Sequence, residues 1–173
     1  MTMVFHNSRF PKYRSRRLRG YNYEEPGNYF VTIVTKNRKP IFGQIKAKSM
    51  ELNEIGLVVR QSWEWLKNQY DYVELDEFII MPNHLHGIVV MRNDRCVSRN
   101  APASITTKRK SLDRLIGAFK TVLTKQINQI NKSPGSKIWQ RDFHDQIIRD
   151  SEDLDRIRHY IKDNPQAWSA NGQ

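Results

Sequence analysis

Two histidines two residues apart, His84 and His86, have the residue type and spacing to do chemistry in this chain. On a β-strand, residues i and i+2 project from one face, so both imidazoles point together while Leu85 turns to the other side. The apolar runs Phe78-Ile79-Ile80 and Ile88-Val89-Val90 set the pair inside a sheet. Two imidazoles from one strand make half of a divalent-metal site. The spacing is also common by chance, and two surface histidines on a half-exposed strand would read the same way.

A metal-assisted phosphoryl-transfer site needs further ligands and a nucleophile. Tyr160 and Asn164 lie four residues apart in the last apolar-periodic segment, so on a helix they share one face. Tyr160 flanks the stripe Leu154, Ile157 and Ile161, which leaves its hydroxyl able to point outward. The plain alternative is a tyrosine at the rim of an amphipathic helix and an asparagine that only ends the helix ahead of Pro165.

The surrounding elements follow from periodicity and turn chemistry. After the turn Glu25-Pro26-Gly27, the β-branched and aromatic run 29–35 predicts a strand. A basic loop, 36–39, leads to a short segment near 41–43 and a short strand over 46–52. Asn53 is placed to cap a helix reaching about Gln69, with Ile55, Val58, Val59, Trp63 and Leu66 on its apolar stripe. Strands follow over 73–81 and 84–91, separated by Pro82-Asn83, and then a polar loop over 92–110. Ser111 opens a helix to about Asn131, buried through Leu112, Leu115, Ile116, Phe119, Leu123 and Ile127, and stopped by residues 133–136. Residues 138–148 are aromatic and partly extended. Acidic residues at 150–153 suit the positive end of a final helix, which Asn164-Pro165 should close. This order predicts an α+β domain with an antiparallel sheet.

The bulk composition narrows the partners. The 173 residues carry 29 Lys+Arg against 18 Asp+Glu, a formal charge of +11, with a sequence pI of about 9.9 and a mean hydropathy of -0.72. A polyanionic partner, nucleic acid above all, is the reading that such a balance favours. Arg9, Lys12, Arg14, Arg16, Arg17 and Arg19 form an acid-free arm with Tyr13, Tyr21 and Tyr23 among or just after them, and Lys108, Arg109 and Lys110 form a second cluster, followed by Lys120. Cations neutralise phosphates, and interleaved aromatics stack on unpaired bases. The expected organisation is a basic arm over 1–20 and one domain over 21–170. No apolar run is long enough to span a membrane, no secretory pattern opens the chain, and Cys96 is the sole cysteine, so a cytoplasmic, nucleoid-associated protein is expected.

Several blocks of the chain resemble the REP-associated tyrosine transposases, a branch of the single-tyrosine HUH transposases. They are Gly20 to Thr32, Met81-Pro82-Asn83-His84-Leu85-His86, Leu115 to Lys120, Trp139-Gln140-Arg141, Ile147-Ile148-Arg149 and Arg158 to Pro165, in that family's order. The resemblance implies a ferredoxin-like or RNA-recognition-like antiparallel sheet with helices packed on one face. It implies a divalent metal, Mg²⁺ or Mn²⁺, held by His84, His86 and the amide oxygen of Asn164, with Tyr160 as nucleophile. It further implies nicking and rejoining of single-stranded or hairpin DNA through a 5′-phosphotyrosine, by a monomer or homodimer. DNA contact would fall to Lys12, Arg14, Arg16, Arg17, Arg19, Lys108, Arg109, Lys110 and Lys120. One position departs from the pattern: Gln146 stands where the family carries a histidine, and His144 lies two residues earlier. A non-catalytic nucleic-acid-binding protein of the same fold is the alternative, and a hydrolase of small phosphoesters would leave the charge unexplained.

Overall fold

The computed structural model describes residues 20–93 and 109–170. The basic arm, with Lys12, Arg14, Arg16, Arg17 and Arg19, and the cluster residue Lys108 lie outside the described residues.

The chain runs β1 (Gly27–Val34), β2 (Gly43–Lys46), β3 (Ser49–Leu52), α1 (Glu54–Gln69), β4 (Val73–Met81), β5 (His84–Met91), α2 (Leu112–Ile130), β6 (His144–Ile148) and α3 (Ser151–Ala170). Four strands form an antiparallel sheet in the order β4-β5-β1-β6, and β2 pairs with β3 in a separate hairpin. Without that hairpin and α3, the remaining elements read β-α-β-β-α-β, the ferredoxin-like arrangement.

The α+β class and the antiparallel sheet are as the sequence predicts. The helices divide between the two faces. Tyr29, Val31, Ile33, Leu85, Val89 and Met91 point to the side where α1 and α2 deliver Val59, Trp63, Leu66, Leu115, Phe119 and Leu123. Phe30, Ile88 and Ile148 point to the other side and meet Ile157 and Ile161 of α3. Packing on one face therefore describes α1 and α2, whereas α3 covers the opposite face. The reason lies in β1 and β5, which are apolar at both odd and even positions and so offer a second face to cover.

Local chemistry explains the element ends. Asn53 Oδ1 accepts from the Gly56 amide at 2.9 Å, the N-cap expected of it. Asp150 Oδ1 accepts from the Asp153 amide at 2.8 Å and opens α3 the same way. The strand expected over 46–52 is broken by Ala47 and Lys48, both at positive φ (47° and 64°), into the two arms of the β2–β3 hairpin. A register shift between Leu75 and Phe78 bulges β4 at Asp76 and Glu77. The expected end of the last helix at Asn164-Pro165 is overturned, because α3 continues through Pro165 to Ala170. A proline inside a helix removes one N–H and crowds the carbonyl four residues back; here Asn164 and Pro165 are buried and Trp168 lies beside His84, contacts that offset that cost.

Candidate metal and nucleophile site

β5 starts at His84, paired with Val34 of β1, and its next residue on the same face, His86, pairs with Thr32. Both histidines therefore face α3, with ring centroids 4.5 Å apart. Gly87, the next residue, lies against Trp63, so closely that a Cβ there would stand 2.6 Å from the indole. The absence of a side chain lets the strand sit flat on the core just where it carries the pair.

Neighbours orient each imidazole. Asn83 donates its amide N–H to the Arg38 carbonyl at 3.1 Å, which turns Oδ1 toward Nδ1 of His84 at 2.7 Å. Nδ1 of His84 must then carry the proton, leaving a lone pair on Nε2. The amide of Asn164 bonds the same imidazole. His86 is 2% exposed, and its Nδ1 lies 2.8 Å from the Thr32 hydroxyl. Its Nε2 faces the hydroxyl of Tyr160 at 3.5 Å, a contact at the limit of a hydrogen bond. Burial pushes the His84 pKa down to about 4, with help from the nearby Arg38 charge and opposition from the Asn164 bond. For His86, burial and then the neighbouring His84 and His144 hold the pKa well below the usual imidazole value. Both rings are neutral at pH 7, the state in which an imidazole can ligate a metal.

α3 crosses above with Tyr160 and Asn164 one turn apart. Tyr160 is 40% exposed and stands edge-on to both His86 and Phe30, whereas Asn164 is 9% exposed. The site thus brings together all four expected residues: His84, His86, Tyr160 and Asn164. Among the described residues no three His, Cys, Asp or Glu side chains converge as a metal cluster, so a cation here would draw on the two imidazoles and the Asn164 amide. That set of two nitrogens and an oxygen, with each ring tethered from behind, fits a divalent ion.

The predicted DNA-contacting residues go elsewhere. Arg109 lies over the Tyr72 ring at 5.1 Å, and Lys110 bonds the Tyr70 hydroxyl at 3.0 Å while sitting 5.0 Å from its ring. Lys110 N–H donates to Tyr72, just before the Val73↔Met91 pair, so this cluster stands at the far end of β5 from His84, roughly 20 Å away by strand rise. Lys120 donates to the carbonyls of Gln140, Arg141 and Asp142, tying α2 to that loop, and burial brings its pKa down to about 8.

Sequence reasoning missed Thr32, Asn83 and Trp168. Thr32 and Asn83 act by strand register and turn geometry, which single-chain periodicity does not report. Trp168, tilted 38° beside His84 at 5.6 Å, lies beyond the proline read as a helix end. At the departing position, Gln146 pairs with Phe30 in register and donates to Asp153 at 3.3 Å. His144 instead pairs with Thr32, which pairs in turn with His86, so His144, Thr32 and His86 form one row across the sheet.

The β-α-β-β-α-β sheet with α3 across its other face is a transposase-like fold. It matches the structure of a REP-associated tyrosine transposase bound to a REP hairpin, at 18% identity and a TM-score of 0.55, over 87% of this chain and 72% of that one. The likeness to these transposases read from the sequence blocks is upheld in the fold. The chain is 37% identical over 162 residues to an uncharacterized protein of Haemophilus influenzae, covering 90% of this chain and 89% of that one, and it belongs to one family with that protein. No family model matches it. Among the described residues, no helix is long and apolar enough to cross a membrane.

Proposed function

We propose that this protein cleaves and rejoins single-stranded or hairpin DNA through Tyr160. The observation that carries the reading is the Tyr160 hydroxyl 3.5 Å from His86 Nε2, with Asn164 one turn along against His84. The DNA partner is supported by the formal charge of +11 and by the fold shared with a transposase that was solved on a REP hairpin.

In this reading, the phenolic oxygen of Tyr160 bonds to phosphorus and the bond from phosphorus to the 3′-oxygen breaks. The products are a 5′-phosphotyrosine and a free 3′-hydroxyl, and the phenol's proton is balanced by the one that the 3′-oxygen takes up. Because the phosphodiester energy stays in the covalent link, a 3′-hydroxyl can reverse the step without a nucleotide cofactor. His84, His86 and Asn164 would hold a divalent cation, Mg²⁺ or Mn²⁺, which when bound polarises the phosphate and stabilises charge on its oxygens. Asn83 and Thr32 hold the two rings in ligating orientation, and Phe30 stacks under His86 at 5.4 Å to fix its plane.

The test is incubation of the full chain with end-labelled hairpin oligonucleotides carrying single-stranded flanks, with Mn²⁺ or Mg²⁺, followed by denaturing electrophoresis. A denaturant-resistant protein–DNA adduct is expected, absent after chelation and absent from Tyr160→Phe, which should bind the same DNA with unchanged affinity. Binding without an adduct on any hairpin of the panel would favour the non-catalytic DNA-binding reading.

A further inference from the structure

The continuation of α3 through Pro165 places a third residue on the face that carries Tyr160 and Asn164. Trp168 lies one turn beyond Asn164 and two beyond Tyr160, and the three span roughly 12 Å of helix at 1.5 Å per residue. Its ring centroid is 5.6 Å from that of His84, and the indole is only half-buried. The rings Phe30, His86, His84 and Trp168 make one strip, with successive centroids 5.4, 4.5 and 5.6 Å apart, and Tyr160 joins it at His86 at 5.3 Å. Tyr160 stands at one edge of the histidine pair and Trp168 at the other.

We infer that Trp168 is a stacking platform for an unpaired nucleobase next to the reacting phosphate; this rests on the DNA-cleavage reading for the position of the phosphate but not for the base contact itself. An aliphatic side chain would cover His84 as well as an indole does, at less cost in exposed apolar surface. A partly exposed indole beside a polar site is a surface that a base can cover. Stacking of this kind tolerates any base but requires an unpaired one, since a paired base in a duplex offers no free face. The wall formed by His84 and Trp168 would thus select single-stranded DNA at the reaction centre, with the phosphate between Tyr160 and the histidines and the neighbouring base on the indole.

The experiment uses the full chain carrying Tyr160→Phe, so that binding is read without a covalent step. The probe is a hairpin oligonucleotide with single-stranded flanks and 2-aminopurine at one flank position at a time. Fluorescence quenching is expected at one position with Trp168 present, retained in Trp168→Phe and lost in Trp168→Leu, with affinity falling about tenfold in the leucine variant. Leucine preserves apolar packing against His84, so a purely structural role would leave both readouts as in the parent. Quenching and affinity unchanged in Trp168→Leu, or no quenched position on an oligonucleotide that the parent binds, would overturn the inference. Quenching that depends on Trp168 in a protein whose Tyr160 form makes no adduct would uphold the stacking site while removing the cleavage reading. In the Tyr160 protein, Trp168→Leu should raise KM for adduct formation more than it lowers kcat.

Discussion

His86 sits at 2% exposure with Thr32 on one ring nitrogen and Tyr160 facing the other. An imidazolium at that place would have to form without water. Its pKa and that of His84 are both held below the ordinary value of 6.5, by burial first. The unfolded chain therefore takes up protons near pH 6.5 that the folded chain refuses until about pH 4 at His84. The stability linked to these rings is present above pH 6.5 and is lost as pH falls toward 4. Thermal unfolding followed from pH 7.5 to 4.5 should show Tm falling with acidity, and His86→Gln should flatten that fall; an equally steep profile in the variant would refute the burial account. Thr32→Val tests the second tether. It removes the hydroxyl that faces His86 Nδ1 while keeping the volume, so Mn²⁺ affinity measured by calorimetry should drop by about tenfold with little change in fold. Of these residues, the histidines and Tyr160 were legible in the sequence, and Thr32 was not. The period-2 spacing of the histidines shows directly which face they share, whereas Thr32 becomes visible only once β1 and β5 are paired.

At the scale of elements, α3 governs the site, and its roll about its own axis is fixed from one flank. The bulge of β4 presents Asp76 and Glu77, and Arg158 grips both carboxylate oxygens of Asp76 at 3.1 and 2.6 Å while Lys162 meets Glu77 at 2.9 Å. The Arg158 guanidinium beside Asp76 is the main reason that carboxyl titrates below its ordinary value. Ile157 and Ile161 hold the middle of the helix, so the ion pairs on one flank set where Tyr160 emerges on the other. If the proposed cleavage holds, Asp76→Asn should slow adduct formation several-fold while leaving DNA affinity unchanged, since it loosens the helix without altering Tyr160, His84, His86 or Asn164; equal losses in rate and affinity would argue against a positioning role. Under the sheet, Gly87→Ala should destabilise by about 1–3 kcal/mol in denaturant titrations, because the added methyl meets the buried Trp63 ring. The main elements could be read from the sequence because their apolar stripes are regular: α1, α2, β4 and β5 stand close to where the periodicity puts them. The reach of α3 could not be read. Asn-Pro normally ends a helix because proline disfavours helical backbone in the residue before it. Here the Asn164 bond to His84 and the packing of Trp168 lie at and beyond that point and favour continuation, and tertiary contacts of this kind leave no local signature.

For the whole molecule, the proposed binding of DNA turns on which cations the fold leaves to meet phosphate. Sequence clustering treats all Lys and Arg as equal, but the fold gives them different partners. Lys120 donates to three main-chain carbonyls and works as a tie between α2 and the loop 140–142. Arg109 and Lys110 rest on Tyr72 and Tyr70 at the end of the sheet away from the histidines, with Nε and Nη2 of Arg109 buried, so a duplex stem held there in the proposed reading would meet Lys110 and the remaining edge of Arg109. The salt dependence of affinity distinguishes these roles, because each phosphate contact on a single strand contributes about −0.7 to the slope of log affinity against log salt. Removal of residues 1–19, with six Lys and Arg, should reduce that slope by up to about 4 units. Paired Arg109→Ala and Lys110→Ala changes should reduce it by up to about 1.5 units. Lys120→Ala should leave it unchanged and instead lower Tm, since three carbonyls lose their donor. A slope reduced by Lys120→Ala with Tm untouched would return that lysine to the DNA surface and would mean that its carbonyl contacts give way when DNA binds.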